Sequence, residues 1–255
     1  MHIVFTDLDG TLLDHETYAF EPARPALERL SDLGVPLILA SSKTAAEMHP
    51  IAESIGIDFP MIVENGAGVV DPSRETASEN TVYKRLRGIL NDMPEDLRAL
   101  FEGFGDWSDQ KVAEKTGMPL ASASLAKKRH FSEPGLWSGN EDERARFCEH
   151  LEAEGFQAVQ GGRFFTLMPQ TSKAARMREV ADAFHQRSGE TITTVALGDA
   201  PNDLAMLETA DHGFIIANPA HKPLPVTDRE RKGFIRRSEK PGPAGWNDMI
   251  LQLFK

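Results

Sequence analysis

The sequence predicts an α/β fold: a Rossmann-like, doubly wound parallel sheet whose chain is interrupted by a smaller inserted α/β domain. Three observations predict it. Strand-like and helix-like stretches alternate through about the first seventy residues, the same alternation returns after residue 171, and the segment between has a more polar, less regular texture. Strands alternating with long helices imply βαβ units, hence a parallel sheet with helices on its faces. The expected division is a discontinuous core of residues 1–82 and 171–255, with residues 83–170 as the insertion.

Each element has its own signal. Ile3-Val4-Phe5-Thr6 is a run of strand formers. From about Pro22, the residues Ala23, Ala26, Leu27, Leu30 and Leu33 recur at helical spacing, and Gly34 supplies a stop. Val35 to Ala40 is nearly all apolar, as in a strand buried on both faces. Thr44 to Ile55 reads as a second helix ended by Gly56, and Met61-Ile62-Val63 as a third strand broken by Asn65-Gly66. Beyond the insertion, Lys173 to Arg187 is helical in pattern, with Ala175, Val180, Ala181 and Phe184 on or near one face. Thr191 to Leu197 is a strand, Asn202 to Glu208 opens a helix, and Gly213 to Ala217 is another strand. Pro219 to Gly245 holds five prolines among many charges and is expected to be irregular surface. Trp107, His130 and Trp137, in the insertion, are expected to pack or lie on the surface.

Composition narrows the function. At 40% apolar residues and a mean hydropathy of −0.35, the chain reads as an ordinary globular protein. There are 28 Lys+Arg against 39 Asp+Glu, a net charge of −11. Nucleic acids and anionic membranes both need a cationic surface, so neither is an expected partner. An acidic protein that binds an anion must instead concentrate positive charge locally. The single cysteine, Cys148, excludes an internal disulfide framework and a clustered-thiolate zinc site. No apolar run approaches the roughly eighteen residues of a membrane span. Met1-His2-Ile3 enters a strand pattern without a secretory leader, so a cytoplasmic location is expected.

The chemistry lies at the strand ends. Asp7-Leu8-Asp9-Gly10-Thr11 follows the first strand directly, and ligands of open parallel sheets bind beyond the carboxyl ends of the strands. Two carboxylates so close repel unless a cation joins them, and hard oxygen ligands favour Mg2+. Gly198-Asp199-Ala200-Pro201-Asn202-Asp203 follows a later strand and would set Asp199 beside Asp7. Ser41-Ser42-Lys43-Thr44 puts hydroxyls near a helix N-terminus, where backbone amides suit a phosphate oxygen. Lys173 enters the helix after the insertion. Each motif alone has a plainer reading: an Asp-Gly turn, helix caps at Ser41, Ser42, Asn202 or Asp203, a surface lysine. Together they assemble a phosphoryl-transfer site, with Asp7 as nucleophile, Asp9 as general acid/base, Mg2+ as charge neutraliser and Lys173 with Ser41 as phosphate clamp. Metal and lysine then supply the local positive charge that the acidic composition requires.

These four motifs, in this order, resemble the haloacid dehalogenase superfamily of phosphatases. The resemblance implies that the insertion is a cap domain closing over the substrate. It implies an aspartyl-phosphate on Asp7, with Asp9 protonating the leaving group and then activating water. It further implies Mg2+ held by Asp7, the Asp9 backbone carbonyl and Asp199, with Asp203, Asn202 and Ser42 around the phosphate. Asp9 favours a phosphatase or phosphomutase over a dehalogenase, because an alkoxide leaving group needs a proton and a halide does not.

A narrower resemblance is to the mannosyl-3-phosphoglycerate phosphatases. It is carried by Val4 to Asp14, Ser42 to Glu47, Val63-Glu64-Asn65-Gly66-Ala67, Phe131-Ser132-Glu133-Pro134, Gly161 to Phe165, Gly198 to Leu204 and Lys240 to Asn247. One departure is Ala174, where related sequences usually have glycine after the lysine. The resemblance suggests that Arg129 and Arg163 pair with the glycerate carboxylate, and that Ser132 and Asn65 bond sugar hydroxyls, with Lys43 also at the substrate. The reaction so implied converts mannosyl-3-phosphoglycerate to mannosylglycerate, a compatible solute, plus phosphate. Glucosyl-3-phosphoglycerate, other sugar phosphates, a sugar phosphomutase reaction and a non-catalytic binding module on the same core remain alternatives.

Overall fold

Apolar burial on both faces makes β1 (His2–Thr6) a central strand. The structure, a computed structural model, describes residues 1–72, 81–220 and 222–255. After β1 the chain forms α1 (Arg24–Asp32), which buries Ala26 and Leu30 but leaves Leu33, expected on that face, exposed beyond its end. β2 (Leu37–Leu39) is buried throughout. α2 (Ala45–Ile55) starts at a capping box, Thr44 with Glu47, and ends at Gly56 with φ 82°. β3 (Met61–Val63) and β4 (Gly68–Val70) form a short antiparallel pair.

The next stretch supplies α3 (Thr81–Asp92), α4 (Glu95–Arg98), β5 (Phe101–Gly103), α5 (Asp109–Thr116) and α6 (Leu120–Ala126). It continues through β6 (Glu133–Trp137), α7 (Glu141–Ala153), β7 (Phe156–Gln160) and β8 (Phe165–Pro169). The chain then forms α8 (Lys173–Ser188), β9 (Thr193–Gly198), α9 (Leu204–Thr209), β10 (His212–Ala217), α10 (Asp228–Arg231), β11 (Ile235–Pro241) and α11 (Gly242–Leu253).

Two units result. In the first, five parallel strands run in the order β11-β10-β9-β1-β2. A bridge between Ala40 and Ile62 sets β3 beside β2. Ile3, Phe5, Ile38 and Ala196 pack with Met177 and Val180 of α8 and Met206 and Leu207 of α9. Strand alternation turns Thr6 to the opposite face, where the buried Trp246 of α11 donates its indole N–H to Thr6 Oγ1 at 3.0 Å. The order of connection reverses between β1 and β9, and the carboxyl ends of those strands are where such a sheet opens a crevice.

The second unit contains an antiparallel sheet in the order β5-β6-β8-β7. Leu86 and Leu90 of α3 and Phe147 and Leu151 of α7 pack with Phe101, Phe156, Phe165 and Leu167, and Trp137 joins them through Phe147 at 4.8 Å between ring centroids. Trp107 packs with Phe104, Val112 and Ala123 in a second cluster. A polar network missed by sequence reading lies between strands and helices. The fully buried Glu133 carboxylate accepts from the Tyr83 hydroxyl at 2.6 Å, the Gly105 N–H at 2.6 Å and Arg87 at 3.1 Å. Gly103 makes room for it, since a Cβ there would stand 2.1 Å from Glu133 Oε1.

Two expectations need revision. Residues 42–56, expected in the core, group with the second unit. The physical link is α2: the Thr44 hydroxyl at its start donates to the Leu125 carbonyl of α6 at 3.0 Å. The expected first crossing after residue 82 adjoins residues 73–80, outside the described residues; the return crossing falls between Thr171 and Ser172. Second, Pro219 to Gly245 is not all irregular, because β11 and α11 begin within it. Pro241 ends the strand and Pro243 sits in the first helical turn, both positions where a missing N–H is tolerated.

Candidate active site

The β1 ladder runs one residue past the strand. Asp7 N donates to Leu197 O at 2.9 Å, holding Asp7 against the end of β9. Asp199 follows β9, and Ser41 follows β2 with its N–H on Ile62 O at 2.9 Å. Lys173 is the first residue of α8, whose N-terminus is capped by the Ser172 hydroxyl on Ala175 N at 3.2 Å. The sheet and one helix start thereby bring residues 7, 173 and 199 together.

Lys173 is 2% exposed and is no surface lysine. Its ammonium donates to Asp7 Oδ1 at 2.6 Å and to Asp203 Oδ1 at 2.7 Å. Burial alone would lower its pKa, but the charges of Asp203 and Asp7 hold it above the ordinary lysine value. Asp7 is pushed well above the usual carboxylate range, first by burial, then by the charge of Asp203, with Lys173 opposing and Asp199 adding to the rise.

Asp203 is a hub and not a simple helix cap. Its second oxygen accepts from the N–H groups of Asp199 and Ala200, both at 3.2 Å. Gly198 is required for this approach, because a Cβ there would lie 2.5 Å from Asp203 Cβ. Asp199 in turn accepts from Thr11 Oγ1 at 2.9 Å and from Asn218 Nδ2 at 2.7 Å. A Cβ on Gly10, which has φ 76°, would meet Asn218 Nδ2 at 2.2 Å. Sequence reasoning missed Asn218 and the role of Thr11. The available signal was position: Asn218 directly follows β10, the strand beside β9.

Asp7, Asp199 and Asp203 each offer a carboxylate oxygen within 4.8 Å of the others, and all three are buried. Three carboxylates against one ammonium leave excess negative charge in a desolvated place, and this adds to burial, the larger cause, in raising the Asp7 pKa. An all-oxygen donor set with that excess fits a hard divalent cation such as Mg2+. With Asp203 engaged by Lys173 and backbone amides, Asp7 and Asp199 are the carboxylates suited to hold it.

The remaining expected residues fall into three groups. Asp9 is half-buried in the turn after β1, where Gly10 N donates to Leu13 O at 2.9 Å. Asn202 donates from Nδ2 to Asn65 Oδ1 at 3.1 Å, and Asn65 N donates to Ser41 O at 2.8 Å. Ser42 (exposed) and Lys43 (half-buried) belong to the second unit, next to the α2 cap. Within that unit Arg129 and Ser132 are buried and share a 2.7 Å hydrogen bond. Arg163 instead donates to the carbonyls of Lys115 and Thr116, at 3.2 and 2.9 Å, at the end of α5. Ala174 is buried at the start of α8 and leaves Lys173 in contact with Asp7.

A model of the haloacid dehalogenase-like hydrolase family matches residues 4–105 and 127–228. The chain is 35% identical over 267 residues to a Methanococcoides burtonii protein named glucosyl-3-phosphoglycerate/mannosyl-3-phosphoglycerate phosphatase, covering 99% of this chain and 97% of the relative. A Persephonella marina protein of the same name is 35% identical over 266 residues, covering 98% and 96%. Among solved structures, the sucrose-phosphatase of Synechocystis, in complex with sucrose and phosphate, aligns with a TM-score of 0.60. That alignment covers 98% of this chain and 96% of the other at 16% identity, a likeness of fold.

Proposed function

Because this chain belongs to the haloacid dehalogenase-like hydrolases, we propose that it removes phosphate from glucosyl-3-phosphoglycerate and mannosyl-3-phosphoglycerate. It is a phosphoric monoester hydrolase; the choice of substrate is supported by the names of the two relatives. The observation that carries the chemistry is the buried Lys173 ammonium joining Asp7 and Asp203 beside Asp199.

Asp7 attacks the phosphorus, the ester bond breaks, and the leaving glycerate oxygen takes a proton from Asp9. The Asp9 carboxylate then takes a proton from water, whose oxygen displaces Asp7 from phosphorus, releasing orthophosphate and restoring both aspartates. Lys173 keeps Asp7 oriented and offsets the charge that Asp7 and Asp203 concentrate. Asp203 fixes the backbone at Asp199 and Ala200. Mg2+, when bound by Asp7, the Asp9 carbonyl and Asp199, supplies positive charge against the phosphate oxygens.

The test is magnesium-dependent release of inorganic phosphate from the two glycosyl phosphoglycerates. One phosphate per substrate consumed is expected, with at least about a 1,000-fold loss in Asp7→Asn. Undiminished turnover by that variant removes Asp7 as nucleophile, and phosphate retained on a second hydroxyl would identify a mutase.

A further inference from the structure

Three consecutive residues, Glu64, Asn65 and Gly66, have φ of 52°, 62° and 86°. Only the last is glycine; asparagine tolerates this region, but Glu64 holds a conformation that its side chain disfavours, and surrounding contacts must keep it there. Those contacts lead to the catalytic groups. Asn65 N donates to Ser41 O at 2.8 Å, and Asn65 Oδ1 accepts from Asn202 Nδ2 at 3.1 Å. A Cβ on Gly66 would stand 2.2 Å from Lys173 N and 2.3 Å from the Ser172 carbonyl carbon, so the turn lies directly against the start of α8. Arg176, about one helical turn beyond Lys173, donates to Gly66 O at 3.4 Å and Ala67 O at 3.2 Å. One short turn therefore touches the three chain segments that carry Ser41, Lys173 and Asn202.

From this juxtaposition we propose that the Glu64–Gly66 turn is a positioning element for the phosphate-facing groups. Asn65 acts through Asn202 and not on the substrate. The proposal rests on the phosphatase reading for the identity of the anion. A bond from Asn65 to a sugar hydroxyl would leave a different signature, because it would matter only for substrates that carry a sugar.

Asn65→Gly keeps the left-handed backbone and removes the acceptor; it is compared with Asn202→Ala and with the double variant, all in the full chain with magnesium. Two quantities are read: kcat and KM on an aryl phosphate, which has no sugar, and the affinity for inorganic phosphate by calorimetry. Asn65→Gly is expected to lower kcat/KM and phosphate affinity about tenfold at an unchanged melting temperature. Added to Asn202→Ala, it costs nothing further, because the two act as one unit. Gly66→Ala, which displaces the Lys173 backbone, should reduce kcat by about 100-fold with a smaller change in KM. Wild-type values in Asn65→Gly, or full additivity with Asn202→Ala, overturn the proposal and leave the phosphatase reading intact. If the wild type binds phosphate with this coupling but turns over no ester, the phosphatase reading falls and the positioning role stands. If the wild type neither binds phosphate nor hydrolyses an ester, both fall.

Discussion

Lys173 shows how much one side chain can decide. Burying an ammonium is costly, and it is tolerated here because two carboxylates meet it at 2.6 and 2.7 Å. Removing the cation strands Asp7 and Asp203 together in a desolvated place. Lys173→Met should therefore destabilise the metal-free protein by about 3–5 kcal/mol, seen as a lower midpoint in chemical denaturation. The pH at which this is measured matters. The native pKa of Lys173 lies above its unfolded value, so its stabilisation is complete below about pH 10 and lost only as pH rises through the native value. At neutral pH the variant reports the full loss; equal stability of variant and wild type there would show the pair to be energetically idle. Asp7 and Lys173 were legible because their motifs are local and sit at strand or helix ends. Asn218 was not: its partner Asp199 is 19 positions away and only the pairing of β9 with β10 brings them together. Nor could spacing show that Asp203 serves the backbone of its own loop and a lysine 30 positions earlier in the chain at once.

At the level of elements, strands buried on both faces announced themselves and the edge did not. β1 and β2 carry the apolar runs Ile3-Val4-Phe5 and Leu37-Ile38-Leu39, while β11 buries Ile235 and then carries Arg236, Arg237, Glu239 and Lys240. A strand with that charge pattern has no alternation to detect, so the sequence reads there as loop. The helix that follows it is anchored by chemistry at long range. Trp246 is fully buried, and its indole N–H on Thr6 Oγ1 ties α11 to the central strand. Trp246→Phe loses that bond and leaves unfilled volume, and should cost about 1–3 kcal/mol. Thr6→Val removes the same bond from the other side. In a double-mutant cycle followed by denaturation the two should be non-additive, and strict additivity would deny the coupling.

For the molecule as a whole, the acidic composition and the site are one problem. Within a net charge of −11 the site needs local positive charge, which Lys173 supplies to Asp7 and Asp203 and to which a cation on Asp7 and Asp199 would add. Binding that favours the folded state raises its stability by mass action, about 2.7 kcal/mol at a hundred times Kd. Magnesium should accordingly raise the melting temperature by roughly 5–10 °C, and Asp199→Asn should abolish the rise. Because the chain divides into two units, calorimetry can resolve more than one transition. The magnesium effect belongs to the transition of the unit holding Asp7 and Asp199; an equal shift in Asp199→Asn would place the ion elsewhere.

The sheet of the first unit ends at β11, where Arg236, Glu239 and Lys240 are exposed and the strand closes on Pro241. An open strand border is a template on which stray chains can stack and grow into fibrils. Here a copy stacked in parallel register would bring like charges together, and Pro241 has no N–H to donate to it. The same feature that hid this strand from pattern reading thus disfavours cross-β growth along that border.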